Sequence, residues 1–132
     1  MVLAVDVGTV RVGVAASDPH RVLASPVETV PAPGHDRVLA LLAERGAVLV
    51  VVGLPTSMSG LARSASADMA RDWAQVLVGR TDVPVELVDE RLTTVTAQAA
   101  LRASGRRGRS ARAVVDQAAA VALLQGFLDR SR

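Results

Sequence analysis

The sequence predicts an α/β domain in which an antiparallel meander leads into parallel strands. Three observations predict it. From Met1 to Val30 the chain reads as strands separated by short turns. Beyond Gly34, segments of helical period alternate with short strands. Ala47 to Val52 is a continuous Val/Leu run, the mark of a parallel strand covered on both faces.

Met1 to Val7 is apolar except for Asp6 and reads as a buried strand. Gly8-Thr9 turns the chain, and Val10 to Ala16 hairpins back. Ser17-Asp18-Pro19-His20 is a second turn, and Val22 to Val30, broken at Pro26, is a third strand or edge. Pro31-Ala32-Pro33-Gly34 is a loop. His35 to Arg45 carries apolar residues at 38, 39, 41 and 42, a helical spacing, and Gly46 stops it. Gly53-Leu54-Pro55 ends the Ala47 to Val52 strand, and Thr56 to Gly60 is a polar loop. Leu61 to Gly79 reads as a long helix that carries Trp73 on its core or half-buried face. Val83 to Val88 is a short strand with Asp89-Glu90-Arg91 at its C-terminal end. Thr93 to Ala103 reads as a helix that stops at Ser104-Gly105, and Arg106 to Arg109 is a basic loop. Ser110 caps a last helix from Ala111 to about Arg130. No repeat or linker interrupts the pattern, so residues 1–132 are expected to form one domain.

Composition narrows the chemistry. Half the residues are hydrophobic, which excludes a disordered chain. The absence of cysteine excludes disulfides, thiolate metal sites and a cysteine nucleophile. His20 and His35 are too few and too far apart for a histidine-built metal site. No apolar run reaches membrane-spanning length, and the opening run lacks a basic n-region and a small-residue cleavage site. A cytoplasmic protein without membrane partners is expected. All 15 basic residues are Arg, the side chain that forks onto phosphate oxygens.

Three acidic positions stand out. Asp6 lies inside an apolar strand, where a carboxylate is costly unless paired, protonated or metal-bound; it could equally start the turn. Asp89 and Glu90 follow a strand at the edge where parallel sheets build their crevices, or they start the next helix. Asp116 sits among Ala and Val on the last helix, or is an exposed acid near its N-terminus. Brought together at one edge of a sheet, the three would repel one another unless divalent cations joined them. Oxygen-only ligands suit Mg²⁺ or Mn²⁺. Two such ions about 4 Å apart are the device of in-line phosphodiester cleavage.

The basic residues fit a polyanion. Between Glu90 and Asp116 there is no acid, but there are six arginines: Arg91, Arg102, Arg106, Arg107, Arg109 and Arg112. A flexible Arg/Gly loop beside carboxylates can grip a nucleic-acid backbone; a solvated loop in an Arg-biased chain is the competing reading. With one Phe, one Trp and no Tyr, base stacking is scarce, and binding is expected to follow backbone and shape.

These motifs resemble one family along almost the whole chain. The segments Asp6-Val7-Gly8-Thr9-Val10-Arg11-Val12-Gly13, Val52-Gly53-Leu54-Pro55 with Gly60, Asp89-Glu90-Arg91-Leu92-Thr93-Thr94 and Val115-Asp116-Gln117-Ala118-Ala119-Ala120 are similar, in that order, to the YqgF (RuvX) family. The resemblance implies an RNase H-like fold, a mixed five-stranded sheet flanked by helices, and a metal-dependent nuclease. It implies that Asp6, Glu90 (or Asp89) and Asp116 hold the metal, because neighbours on a strand face opposite ways and only one acid of the pair can. It sets Arg11 near the cleft or in the first hairpin, and Arg91 on a carboxylate or a phosphate. Val10 and Ser59 depart from the family pattern, where a basic residue and Asn or Asp are usual. The implied substrate is the 5′ end of the 16S rRNA precursor, with branched DNA (a Holliday junction) as the alternative. The former suits a monomer or homodimer; the latter needs a two-fold dimer. The D-x-G-T turn also resembles the phosphate loop of actin-like and sugar kinases, but 132 residues hold one lobe and not two. A non-catalytic nucleic-acid binder is a further reading, against which the retained acids speak.

Overall fold

In a computed structural model of the chain, residues 1–55, 65–90 and 109–130 are described, those from 109 to 116 by backbone alone. The elements run β1 (Val2–Val7), β2 (Arg11–Ser17), β3 (Ala24–Pro31), α1 (His35–Arg45), β4 (Leu49–Leu54), α2 (Ala65–Val78), β5 (Val85–Asp89) and α3 (Arg109–Arg130). The five strands form one sheet in the order β3-β2-β1-β4-β5. β1 to β3 are antiparallel, while β4 and β5 run parallel to β1. This is the expected meander feeding a parallel half, with β1 in the middle of the sheet.

Strand alternation divides the core into two layers. Leu3, Val5, Val12, Val14, Val50 and Val52 point to one face, under α1 and α2. Val2, Ala4, Ala15, Val51 and Val88 point to the other, where they meet Ala120, Leu123, Leu124 and Leu128 of α3. α2 lays Ala67, Ala70, Trp73, Ala74 and Leu77 on the sheet, and its alanines let the helix approach closely. Burying each Leu or Val contributes roughly 1.5–3 kcal/mol, so the two layers are the main stabilising term.

Two glycines serve the backbone. Gly46 takes φ 62° as the left-handed cap of α1, and Ala47 N–H closes the helix end by donating to Leu42 O at 3.0 Å. Gly8 N–H donates to Arg11 O at 2.9 Å in the β1–β2 turn, and a Cβ there would stand 2.6 Å from that oxygen. Arg37 bridges Glu28 and Glu44, which ties α1 to β3.

Some boundaries differ from expectation. The third strand passes through Pro26, which pairs with Ala15 beside an irregularity at Val14/Ala15. An edge strand tolerates the missing N–H because one side of it has no neighbour. β4 starts two residues later than the Val/Leu run suggests, because Ala47 belongs to the cap of α1 and Val48 is exposed. Ser110 is the second residue of α3 and does not cap it, and Arg109 begins the helix and not a loop. Helix starts are soft by this much because the first N–H groups have no partner within the helix. The helix expected over Thr93 to Ala103 lies outside the described residues, as do the Thr56 to Gly60 loop and the first residues of the Leu61 to Gly79 helix.

Candidate metal and nucleic-acid site

Asp6 lies near the C-terminal end of β1, one step past the pair Val5–Val52. Alternation from Val2 and Ala4 puts it on the α3 face. It is partly exposed, where Val2 to Val5 before it are buried. Its cross-strand partner on β2 is Gly13, and its neighbour on β4 by continued register is Gly53. Asp6 is therefore flanked on both sides by residues without side chains.

Alternation separates the two acids of the D-E-R segment. Val85 packs on the α1/α2 layer and Val88 on the α3 layer. Asp89 pairs with Leu54, which also packs on the α1/α2 layer, so Asp89 belongs to that face. Glu90 follows on the face of Asp6. Its side chain crosses β4: a Cβ built on Gly53 would overlap Glu90 Oε1 and stand 3.0 Å from its Cγ and Cδ. Gly53 is thus the floor on which the Glu90 carboxylate lies, one strand from Asp6.

Asp116 is described by backbone alone. Helical period sets it one turn before Ala120 and two before Leu123, the residues that pack on the sheet. The next residue fixes the level: Gln117 Nε2 donates to Thr29 Oγ1 at 3.0 Å. Thr29 pairs with Gly13, and Gly13 with Asp6. The residue after position 116 is therefore bonded to the row of the sheet that holds Asp6. Among the described residues no three acids or histidines gather into one cluster. Asp6 and Glu90 are brought to one face at one end, and Asp89 is not.

The donor set fits a hard divalent cation. It consists of carboxylates without sulfur or imidazole, and the cradle above Gly53 is one that any larger residue would fill.

Of the candidate arginines, Arg11 opens β2 on the Asp6 face. Arg109 and Arg112 lie in the first turn of α3, which has no acid. Arg91, Arg102, Arg106 and Arg107 lie outside the described residues. Val10 is 68% exposed in the first turn.

His35 is accounted for by packing. Its ring stacks on Trp73 at 4.4 Å between centroids, and its Nε2 lies 3.1 Å from Trp73 O. Trp73 Nε1 donates to Pro33 O at 2.6 Å. Both rings border an open cavity of about 390 Å³ on the α1/α2 side, which Asp72 and the Val7–Thr9 segment also line. No helix among the described residues is long and apolar enough to cross a membrane.

Sequence reasoning did not single out Gly13 and Gly53 as neighbours of Asp6, or Gln117 as a tie to β3. A glycine inside a strand beside an acid is the signal that could have marked the first two. The Gln117–Thr29 bond joins residues 88 apart and has no local signal.

The RuvX family model, described as Holliday junction resolvase, matches residues 1–130. A protein of Clavibacter michiganensis subsp. michiganensis named "Putative pre-16S rRNA nuclease" is 53% identical, with 98% of this chain and 83% of the relative covered. A Streptomyces coelicolor protein of the same name is 50% identical, with 98% and 80% covered. Among solved structures, Thermus thermophilus RuvC in complex with a Holliday junction substrate superposes with TM-score 0.58 at 16% identity, over 99% of this chain and 94% of that one. Fowlpox virus resolvase with junction DNA gives TM-score 0.58 at 8% identity, over 98% and 97%. The fold is that of the RuvC-like, RNase H-type resolvases.

Proposed function

The chain belongs to the RuvX family, and from that premise we propose that it is a divalent-metal-dependent endonuclease that matures the 5′ end of the 16S rRNA precursor. The observation that carries the chemistry is the placement of Asp6 and Glu90 on one face, with the Glu90 carboxylate laid over Gly53 toward β1. The substrate follows from relatives of 50–53% identity that bear the pre-16S rRNA name. Work on that precursor belongs to the cytoplasm.

Asp6, Glu90 and Asp116 would hold Mg²⁺ or Mn²⁺, with Asp89 turned to the other face. When bound, such ions supply an activated water and a counter-charge for the leaving oxygen. The chain's own part is to fix the carboxylates from below and to hold the polyanion from the side. Arg109 and Arg112 in the first turn of α3 oppose the helix dipole, an arrangement that a phosphate between them and the helix end would reverse. Arg11, Arg91, Arg102, Arg106 and Arg107 extend the basic surface, and contacts of this kind read backbone and not sequence.

The second reading, cleavage of branched DNA by a homodimer, is favoured by the family description. One experiment separates the two. The purified protein is given a leader-containing precursor RNA and a four-way DNA junction, each with Mg²⁺ and with Mn²⁺, and Asp6→Asn is the control. Cleavage of the RNA alone, lost in the variant, is the expected result. Paired symmetric nicks in the junction alone would replace it with the resolvase reading. Cleavage retained by Asp6→Asn would sink the site.

A further inference from the structure

We propose that Gly53 is a positioning residue for Glu90, and that its missing side chain is the space the carboxylate needs in order to reach the metal. The proposal rests on the reading of Glu90 as a ligand.

Glycine is not required at position 53 by the backbone. Gly34 and Gly46 are the described glycines with positive φ, and Gly53 is a regular β4 residue paired with Val88. Any L-residue can adopt such a conformation. A glycine inside a strand is a liability, because it surrenders more backbone entropy and packs nothing. Its neighbours Val50, Val51 and Val52 are fully buried β-branched residues that suit the strand far better.

What Gly53 provides is room. β5 is two strands from β1, and strands lie about 4.8 Å apart, so the two acid-bearing strands are about 10 Å apart. Carboxylates so far apart cannot share ions about 4 Å from each other unless one side chain leans across the strand between them. Glu90 does so: its Cγ, Cδ and Oε1 occupy the space that a Cβ on Gly53 would take. The atoms nearest to the Cβ that Gly53→Ala introduces all belong to one flexible side chain, that of Glu90. The sheet can keep its place while the carboxylate is pushed aside. The substitution therefore separates function from folding, which few glycine changes do.

The test uses the full chain as Gly53→Ala, Glu90→Gln and the double variant, with Gly53→Ser as a second probe of the space. Melting without metal, Mn²⁺ binding by titration calorimetry and the Mg²⁺ dependence of cleavage are measured. Gly53→Ala is expected to melt at or slightly above the parent, while its metal affinity falls about 10–100-fold, the usual penalty for disturbing a ligand's support. In the Glu90→Gln background it is expected to add no further loss of Mn²⁺ affinity, because the two changes act on one contact. Melting of both Gly53 variants well below the parent, parental metal affinity in Gly53→Ala, or additive losses in the double variant would each overturn the positioning role. Parental metal affinity in Glu90→Gln would instead sink the ligand reading, and the proposal with it, whatever Gly53→Ala does.

Discussion

Gln117 on α3 and Thr29 on β3 are joined by a 3.0 Å hydrogen bond, and they tie the residue after Asp116 to the row of the sheet that holds Asp6. Farther along α3 the contact is made by alanines and leucines such as Ala120, Leu123 and Leu128, and by Gln125, which accepts from Ala24 N–H at 2.9 Å and donates to Val22 O at 3.0 Å. Apolar packing has little directional preference, whereas a hydrogen bond fails within a few tenths of an ångström. Gln125 sets the level of α3 near Ala24, and the Gln117–Thr29 bond is the directional tie nearer the end where Asp116 lies.

Thr29→Val keeps the shape and removes the acceptor, leaving the Gln117 amide short of a partner. The expected loss is about 1 kcal/mol, read as a lower urea midpoint with an unchanged slope. Thr29→Ser should restore it. Backbone amides in the first half of α3 should also exchange faster in Thr29→Val. Unchanged exchange there would mean that other contacts hold the level.

Glu90 and Asp89 are adjacent but face opposite layers. Glu90→Gln should abolish cleavage and Asp89→Asn should retain most of it, with both variants giving the parental circular dichroism spectrum. A reversed pattern would mean that β5 acts in the other register, since a shift of one residue exchanges the faces.

That pair shows how far the sequence could be read. The helix His35–Arg45 was legible to the residue, because its period is clear and Gly46 ends it. In β1 and β4 alternation carries the layer of each residue once one apolar position is assigned, but in β3 the irregularity at Val14/Ala15 breaks it, and Val27 and Val30 pack on the same layer. Which acid of Asp89 and Glu90 shares a face with Asp6 depended on where β5 begins, and short apolar runs hide that. The β4 run hid its start for the same reason. Trp73 was legible as core or half-buried, but its bond to Pro33, 40 residues away, was not. Contacts between distant segments leave no period behind them.

The β2–β3 turn is built on one ionised group. Asp18 accepts the N–H groups of Leu23 at 2.8 Å, Val22 at 2.7 Å and His20 at 3.3 Å. These bonds, that of Leu23 foremost, hold its carboxyl below its ordinary 3.8. A depressed folded-state value means stability that is present above the unfolded value and lost as pH falls through the folded one. Asp18→Ala should therefore melt below the parent at pH 7, and the gap should narrow as pH falls from 5 to below 3. A gap that stays constant with pH would show that the charge of Asp18 contributes nothing and that only its shape matters.

Arg106 and Arg107 test the polyanion reading separately from the chemistry. They fall in the acid-free stretch between Glu90 and Asp116, far in sequence from any residue of the sheet core. If each neutralises one phosphate, each releases a counterion on binding, and affinity falls steeply with salt. Replacing both with Ala should weaken RNA binding at low salt and reduce the slope of log affinity against log salt by about one per arginine. The loss should be the same for unrelated RNA sequences, because phosphate contacts position the substrate and carry no sequence information. Metal affinity and melting temperature should not move, since neither depends on a phosphate contact. An unchanged slope with weakened binding would mean that the two arginines act without touching the backbone of the RNA, and the basic surface would then be sought at Arg11, Arg109 and Arg112.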